Sequence, residues 1–359
     1  MDGKFDIDKY LDSLPDDVEK IDVSYKKLNY LPDLSRFKKL KKLFCNGNKL
    51  TSLPVLPEKL EIFDCILNNL TSLPVLPENL KELRCSDNKL TSLPILPEKL
   101  EILNCHNNRL SSLPNLSEKL NVLYCLCNQL TLLPILPEKL RELDCGNNNL
   151  TSLPDLSENL KELHCSYNKL TSLPDLSENL KELHCSYNKL SSLPILPENL
   201  ERLNCNCNNL MSLPVLPENL KGLCCGINNL TSLPVLPENL KELNCHYNNL
   251  SSLPILPENL EGLDCGNNNL TSLPVLPDNL KELSFSKNPI RDIIIYNHDL
   301  KIINKNIKIW NNFRYLYYCL KYRKRFWKMM EPIIKKRYHP SYLDNLKEED
   351  DLDEKLGSW

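Results

Sequence analysis

The 359-residue chain contains no alanine and only 8 glycines. With so little glycine there is no Gly-rich loop to cradle a phosphate, and no catalytic motif built around one. A charge excess of one sign is also missing. Basic and acidic side chains number 44 and 47, and the net charge of −3 removes any whole-molecule bias toward nucleic acid or an anionic membrane. Long apolar runs are absent too. Met1 to Tyr10 is rich in charge and lacks the apolar core of a signal peptide, and Asp2 does not fit the N-myristoylation pattern. The longest apolar stretch near the C-terminus, Ile293 to Tyr296, is far too short to cross a bilayer. The expectation is a cytoplasmic protein without a membrane segment. Scarce alanine and glycine beside abundant Leu, Asn, Lys, Ile and Tyr point to an AT-rich coding sequence, which bears on source and not on chemistry.

Cysteine, by contrast, is plentiful. Sixteen thiols in a secreted protein would be read as disulfides. Twelve of them stand at 45, 65, 85, 105, 125, 145, 165, 185, 205, 225, 245 and 265. A strict period of 20 marks one structural slot repeated, so the thiols read as a packed core ladder. A metal centre needs ligands that converge on a point, and an evenly spaced ladder does not converge. Cys127, Cys207, Cys224 and Cys319 lie outside the column and do not change this. No metal or cofactor is expected.

The period governs the whole chain. From Leu40 to Leu283 it reads L-x-x-L-x-C-x-x-N-x-L-x-x-L-P-x-L-P/S-x-x, giving thirteen strand segments 20 residues apart. Residues 151–170 and 171–190 are identical. A degenerate unit with Val18, Ile21, Val23 and Leu28 precedes them at a spacing of 22, making fourteen coils in all. Leu43 and Cys45 are two apart and share the inward side of a short strand. Leu50, Leu53, Leu56 and Leu60 fill the rest of each coil. Asn48 belongs at the turn away from the strand, where its amide satisfies backbone groups and tolerates a left-handed conformation. Pro54 and Pro57 make the returning segment extended or polyproline-like. No coil buries its own leucines, but stacked coils share one core. Fourteen parallel strands at roughly 4.8 Å give a sheet about 65 Å long.

This pattern resembles the leucine-rich repeat family, and within it the shortest, bacterial subclass with L-P-x-L-P on the convex side, found in secreted effector proteins. The resemblance covers about three quarters of the chain. It implies a right-handed horseshoe solenoid with a parallel concave sheet, an extended convex side and a protein-binding role. One slot departs from the subclass, with Cys in place of Val or Leu. Some effectors of this kind carry a ubiquitin-ligase domain with a Cys-x-Asp nucleophile. Cys85-Ser86-Asp87 matches that string, but Cys85 sits in the core column, where a buried thiol is inert. Too little chain follows the repeats to form such a domain.

Candidate partner contacts come from slots 42, 44 and 46 and their equivalents, which point away from the core. Early coils present Phe44, Ile62, Ile66, Ile102, Val122, Tyr124 and Leu126, interrupted by Glu82 and Arg84. Later coils present Glu142, Asp144, Glu162, Glu182, Glu242, Asp264 and Glu282. Apolar residues in slots free to be polar are a binding signal, so the early face is the expected site for a protein partner. His164 and His184 fill equivalent slots of adjacent coils, beside Glu162 and Glu182. Metal or pH chemistry is one reading. Duplication of a single exposed histidine is the simpler one. The glutamates of the P-E-N/K-L segment, such as Glu58, read as a solvated rim.

Beyond Leu283 the repeat decays. Phe285 replaces the column cysteine, and 290–300 is a candidate atypical coil. Trp310, Phe313, Leu316, Tyr317, Leu320 and Trp327 recur at helical spacing within 308–338. Residues 301–337 hold twelve basic residues and one acidic, Glu331. Four segments are expected: an N-terminal cap over 1–17, repeats over 18–290, a C-terminal cap and basic helical segment over 291–343, and an acidic tail over 344–359. A solenoid needs its last coil covered, so capping is the leading role for the third segment. Nucleic-acid binding through 301–337 is an alternative that lacks any RNP, KH or zinc pattern. The run from Pro332 to Trp359, with Tyr338-His339-Pro340, resembles C-terminal tails on proteins of giant DNA viruses of amoebae. Three functional classes follow: a non-enzymatic interaction module acting on host proteins, a virion or structural component, and a nucleic-acid-binding protein.

Overall fold

The computed structural model describes residues 5–292 and 299–321. The chain divides into two compact units, Met1–Asp292 and Ile293–Trp359. The first opens with α1 (Ile7–Asp12), capped by Asp6, whose carboxylate accepts from Lys9 N at 3.2 Å. Ile7 and Leu11 form its buried side.

Fourteen strands follow, from β1 (Lys20–Asp22) and β2 (Lys42–Phe44) to β14 (Glu282–Ser284). They form one parallel sheet in strict chain order. The register is that of the repeat: Leu143 pairs with Leu163 and Leu163 with Leu183, while the first step, Ile21 to Leu43, absorbs the 22-residue spacing. Each strand has only three residues, and the ladder continues past it. Cys45 N donates to Asp64 O at 2.8 Å, and the next coil repeats this with Cys65 N and Arg84 O. The central apolar residue of each coil from Ile21 to Leu263, the column cysteine, and Leu50, Leu60 and their equivalents are fully or almost fully buried, whereas Leu283 of the last strand is half-buried. Leu53, expected in the core, is only half-buried and stands at the core's rim.

One expectation about the turn is corrected. The left-handed residue is the one before the asparagine. Gly47, Leu67, Asp87, Asn107, Cys127 and their successors to Lys287 have φ between 49° and 67°. Asn48 itself is buried and works through its side chain. In the identical pair of units, Asn168 Nδ2 donates to Cys145 O at 3.0 Å and Cys165 O at 3.2 Å, and its Oδ1 accepts from Leu150 N at 2.9 Å. The same set recurs from Asn68 to Asn288. The glutamates of the P-E-N/K-L segment are exposed, and beside them runs a second ladder in which Asn159 and Asn179 donate to the backbone oxygens of Glu138 and Glu158, both at 2.9 Å.

After β14 the chain forms a short 3-10 turn, Pro289–Asp292. The remainder of the expected atypical coil falls on 293–298, outside the described residues. In the second unit α2 spans Leu300–Lys321, starting earlier than 308. Among its described side chains Ile303 and Ile307 are buried, whereas Phe313 is exposed. Trp310 and Phe313 stack at 5.8 Å. Trp327 and the acidic tail also lie outside the described residues. No helix among the described residues is long and apolar enough to cross a membrane.

Candidate functional site

The sheet face is built from slots 42 and 44 of each coil, because the residue between them, Leu43, points into the core. Phe44, Ile62, Ile66, Ile102, Val122, Tyr124 and Leu126 all lie half-buried on or beside this face. Partial burial is what adjacent strands impose, since each side chain packs against its neighbours one strand away. Phe44 receives the Lys20 ammonium 5.0 Å above its ring. Ile102 pairs in register with Val122, and Asn104 with Tyr124.

One charged group inside this apolar half, Asp64, was not weighted from the sequence. Asp64 pairs with Phe44 on one side and Arg84 on the other, and it is buried. Burial pushes its carboxyl up, partly offset by the Ile66 N–H that it accepts at 3.1 Å. Arg84 is held by Glu82 of its own strand. Tyr124 marks the boundary between the two halves of the face. Its hydroxyl donates to Glu142, and that carboxylate raises the phenol to about 12.

Beyond Tyr124 the face is acidic. Glu142, Glu162 and Glu182 occupy one slot on three consecutive strands, β7 (Glu142–Asp144), β8 (Glu162–His164) and β9 (Glu182–His184). Burial, then repulsion from its two neighbours, pushes Glu162 up. His164 is raised by the Asp144 carboxylate at its Nδ1, 3.9 Å away, while His184 is lowered by burial and by His164. These histidines are half-buried, not the freely exposed pair that simple duplication implies. Farther along, Gly262 lies in an open depression lined also by Cys224, Glu242, Asn244, Asp264 and Glu282.

The most exposed aliphatic column lies elsewhere. The variable residue of L-P-x-L-P is Val55, Val75, Ile95, Ile135, Ile195, Val215, Val235, Ile255 or Val275, each 67–89% exposed. Asn115, Asp155 and Asp175 interrupt it, in the same coils where Ser117, Ser157 and Ser177 replace proline. Those hydroxyls take up backbone duty, donating to Glu98 O, Glu138 O and Glu158 O at 2.6–2.8 Å. The sequence pattern does not show that this slot is solvent-facing; the fold does.

The column cysteines are buried and unpaired. Burial raises Cys105, Cys185 and Cys265 to about 12, and pushes the others up as well. Thiolate formation is suppressed throughout, including at Cys85 of the Cys-x-Asp string.

Comparison with known proteins fits this architecture. The family profile for leucine-rich repeats in two copies matches residues 78–118, 138–178 and 158–198. A search of curated proteins returns no match. Among solved structures, YopM from Yersinia enterocolitica WA-314 is 32% identical, with a TM-score of 0.61 over 77% of each chain. YopM from Yersinia pestis, described as a leucine-rich effector protein, is 36% identical, with a TM-score of 0.68 over 76% of this chain and 84% of that one. The functional domain of InlJ from Listeria monocytogenes, described as including a cysteine ladder, is 27% identical, with a TM-score of 0.67 over 75% and 63% of the two chains. A solenoid whose coils repeat one 20-residue pattern, and which matches YopM over most of both proteins, belongs to the leucine-rich repeat family.

Proposed function

We propose that this protein is a non-enzymatic interaction module that binds a protein partner on the early half of its sheet face. The observation that carries the reading is the run of apolar side chains in slots that the core does not use: Phe44, Ile62, Ile66, Ile102, Val122, Tyr124 and Leu126. Interface energy concentrates in a few aromatic and apolar anchors ringed by charge, and the acidic slots beyond Tyr124 supply such a ring. The likeness to a bacterial effector supports an interaction role in general terms. Suppressed column thiols offer no nucleophile. The composition and the C-terminal run favour a viral protein acting in the host cytoplasm, where the column cysteines remain reduced.

A second surface competes, because the Ile/Val column of the returning segments is far more exposed. Affinity capture from host lysate separates the two. Tyr124→Ala with Ile102→Ala should weaken capture of a given partner, with Tyr124→Ala alone costing roughly 1–3 kcal/mol. Ile195→Asp with Ile255→Asp should leave capture unchanged. The reverse pattern moves the interface to the Ile/Val column. Glu242→Ala is the matched control, expected to act mainly on the association rate.

A further inference from the structure

Two histidines on the sheet face are not used by the protein-binding reading. His164 ends β8 and His184 ends β9, and the sheet register pairs them. Their ring centroids lie 4.4 Å apart with planes tilted by 54°. Nε2 of each ring is shut off from solvent and has no hydrogen-bond partner. Glu182 stands two residues before His184 on the same side of the strand, with Oε2 3.6 Å from His184 Nε2. One donor atom from each of His164, Glu182 and His184 lies within 4.8 Å of the other two, the one such grouping among the described residues.

We propose that His164, His184 and Glu182 bind a single divalent transition-metal ion of the zinc type. Two neighbouring imidazoles, each with a buried Nε2 that makes no hydrogen bond, and a carboxylate beside them offer one donor atom apiece within 4.8 Å of the others. Imidazole donors favour zinc, nickel or copper over magnesium and calcium. Three protein donors leave one position of a tetrahedron open to water or to a group on a partner. The surroundings fit this use. Asp144 Oδ2 stands 3.9 Å from His164 Nδ1, on the side away from the cluster's unpartnered nitrogen, where an outer carboxylate orients a ligating ring. Glu142 and Glu162 add negative charge on the neighbouring strands. Arg202 Nε lies 3.7 Å from the other oxygen of Glu182, which leaves Oε2 for the ion. The cluster owes its existence to the repeat. Identical units place identical side chains one strand apart, about 4.8 Å, so duplication turned one histidine into a facing pair.

The test uses the full chain, free of any affinity tag and stripped of metal with a chelator. Cys127→Ser, Cys207→Ser, Cys224→Ser and Cys319→Ser together remove thiols that would compete. Titration with Zn2+ alone should give one equivalent by calorimetry. Co2+ alone should give visible d–d absorption without a thiolate charge-transfer band. His164→Asn, His184→Asn and Glu182→Gln should each weaken Zn2+ by about tenfold or more, the scale of losing even an outer-shell partner. In the chain with both histidines intact, the imidazole NMR signals of His164 and His184 should shift on adding Zn2+, while those of His106 and His246 stay in place. That readout does not depend on any ligand variant folding. The proposal is overturned if the double variant His164→Asn/His184→Asn binds Zn2+ as the parent does, or if Zn2+ leaves both imidazoles unmoved.

Discussion

At the scale of single residues, identical slots carry different chemistry according to what lies one strand away. Column cysteines are packing groups, and their thiols are held in the neutral form by burial. A thiol reagent should therefore reach the half-buried Cys127, Cys207 and Cys224 in the folded protein and spare the column until denaturant is added. Mass mapping of labelled sites checks this, and labelling of the column without denaturant contradicts it. Cys165→Val should be mild because volume and apolarity are roughly kept. Leu163→Ala in the same coil should cost about 2–5 kcal/mol, measured by denaturant melting. Asp64 is the opposite case, a buried carboxylate whose pKa is pushed up by burial. A raised folded pKa means that folding binds protons, so the parent loses stability as pH rises through the carboxylate range. Asp64→Asn keeps an oxygen to accept from Ile66 N and removes the charge. It should raise the melting temperature at neutral pH, and the gain should vanish in acid below the ordinary aspartate range.

Within each coil, the asparagine determines whether the buried turn is satisfied. Asn168→Ala removes the acceptor for Leu150 N and one donor each to Cys145 O and Cys165 O. The orphaned Leu150 N–H alone should cost about 1–3 kcal/mol, with amide exchange at Leu150 faster than at Leu130. An unchanged melting curve would show that water replaces the amide. The strand, the core column and the asparagine were all legible in the sequence, because apolar period and turn chemistry are local signals repeated in every coil. Other features of the coil were less legible. Left-handed geometry fell one residue earlier than expected because Tyr167, Tyr187 and Ile227 do not announce a positive φ as glycine would. The exposure of Val55 and Ile95 was hidden because an aliphatic residue between two leucines reads as core until the path of the returning segment is known. The convergence of His164, His184 and Glu182 depends on side-chain reach between strands, which residue spacing alone does not specify.

For the repeat unit as a whole, contacts run between neighbouring coils, and stability is close to a sum over units and their interfaces. Excising residues 171–190 joins Leu170 to Ser191 in the same frame as every other junction. The shortened chain should fold, keep its circular dichroism per residue and melt only slightly lower. Excising 171–180 breaks the frame and should aggregate on size-exclusion chromatography. The 20-residue excision also separates the sheet-face tests, since it removes Glu182 and His184, leaves His164 alone and leaves Phe44 through Leu126 untouched. The uniform register has a consequence for how the chain finds its fold. Because one unit matches the next in nearly every packing slot, a strand that docks one coil too far forms almost the same bonds as the correct one, and no interior coil records its own address. The ends carry the most distinctive marks: α1, the 22-residue first step and Phe285 in the thiol column. The termini therefore act as the zero of the ruler, and a chain deprived of them should refold into a mixture of phases, each well packed and each offset from the native one by whole repeats.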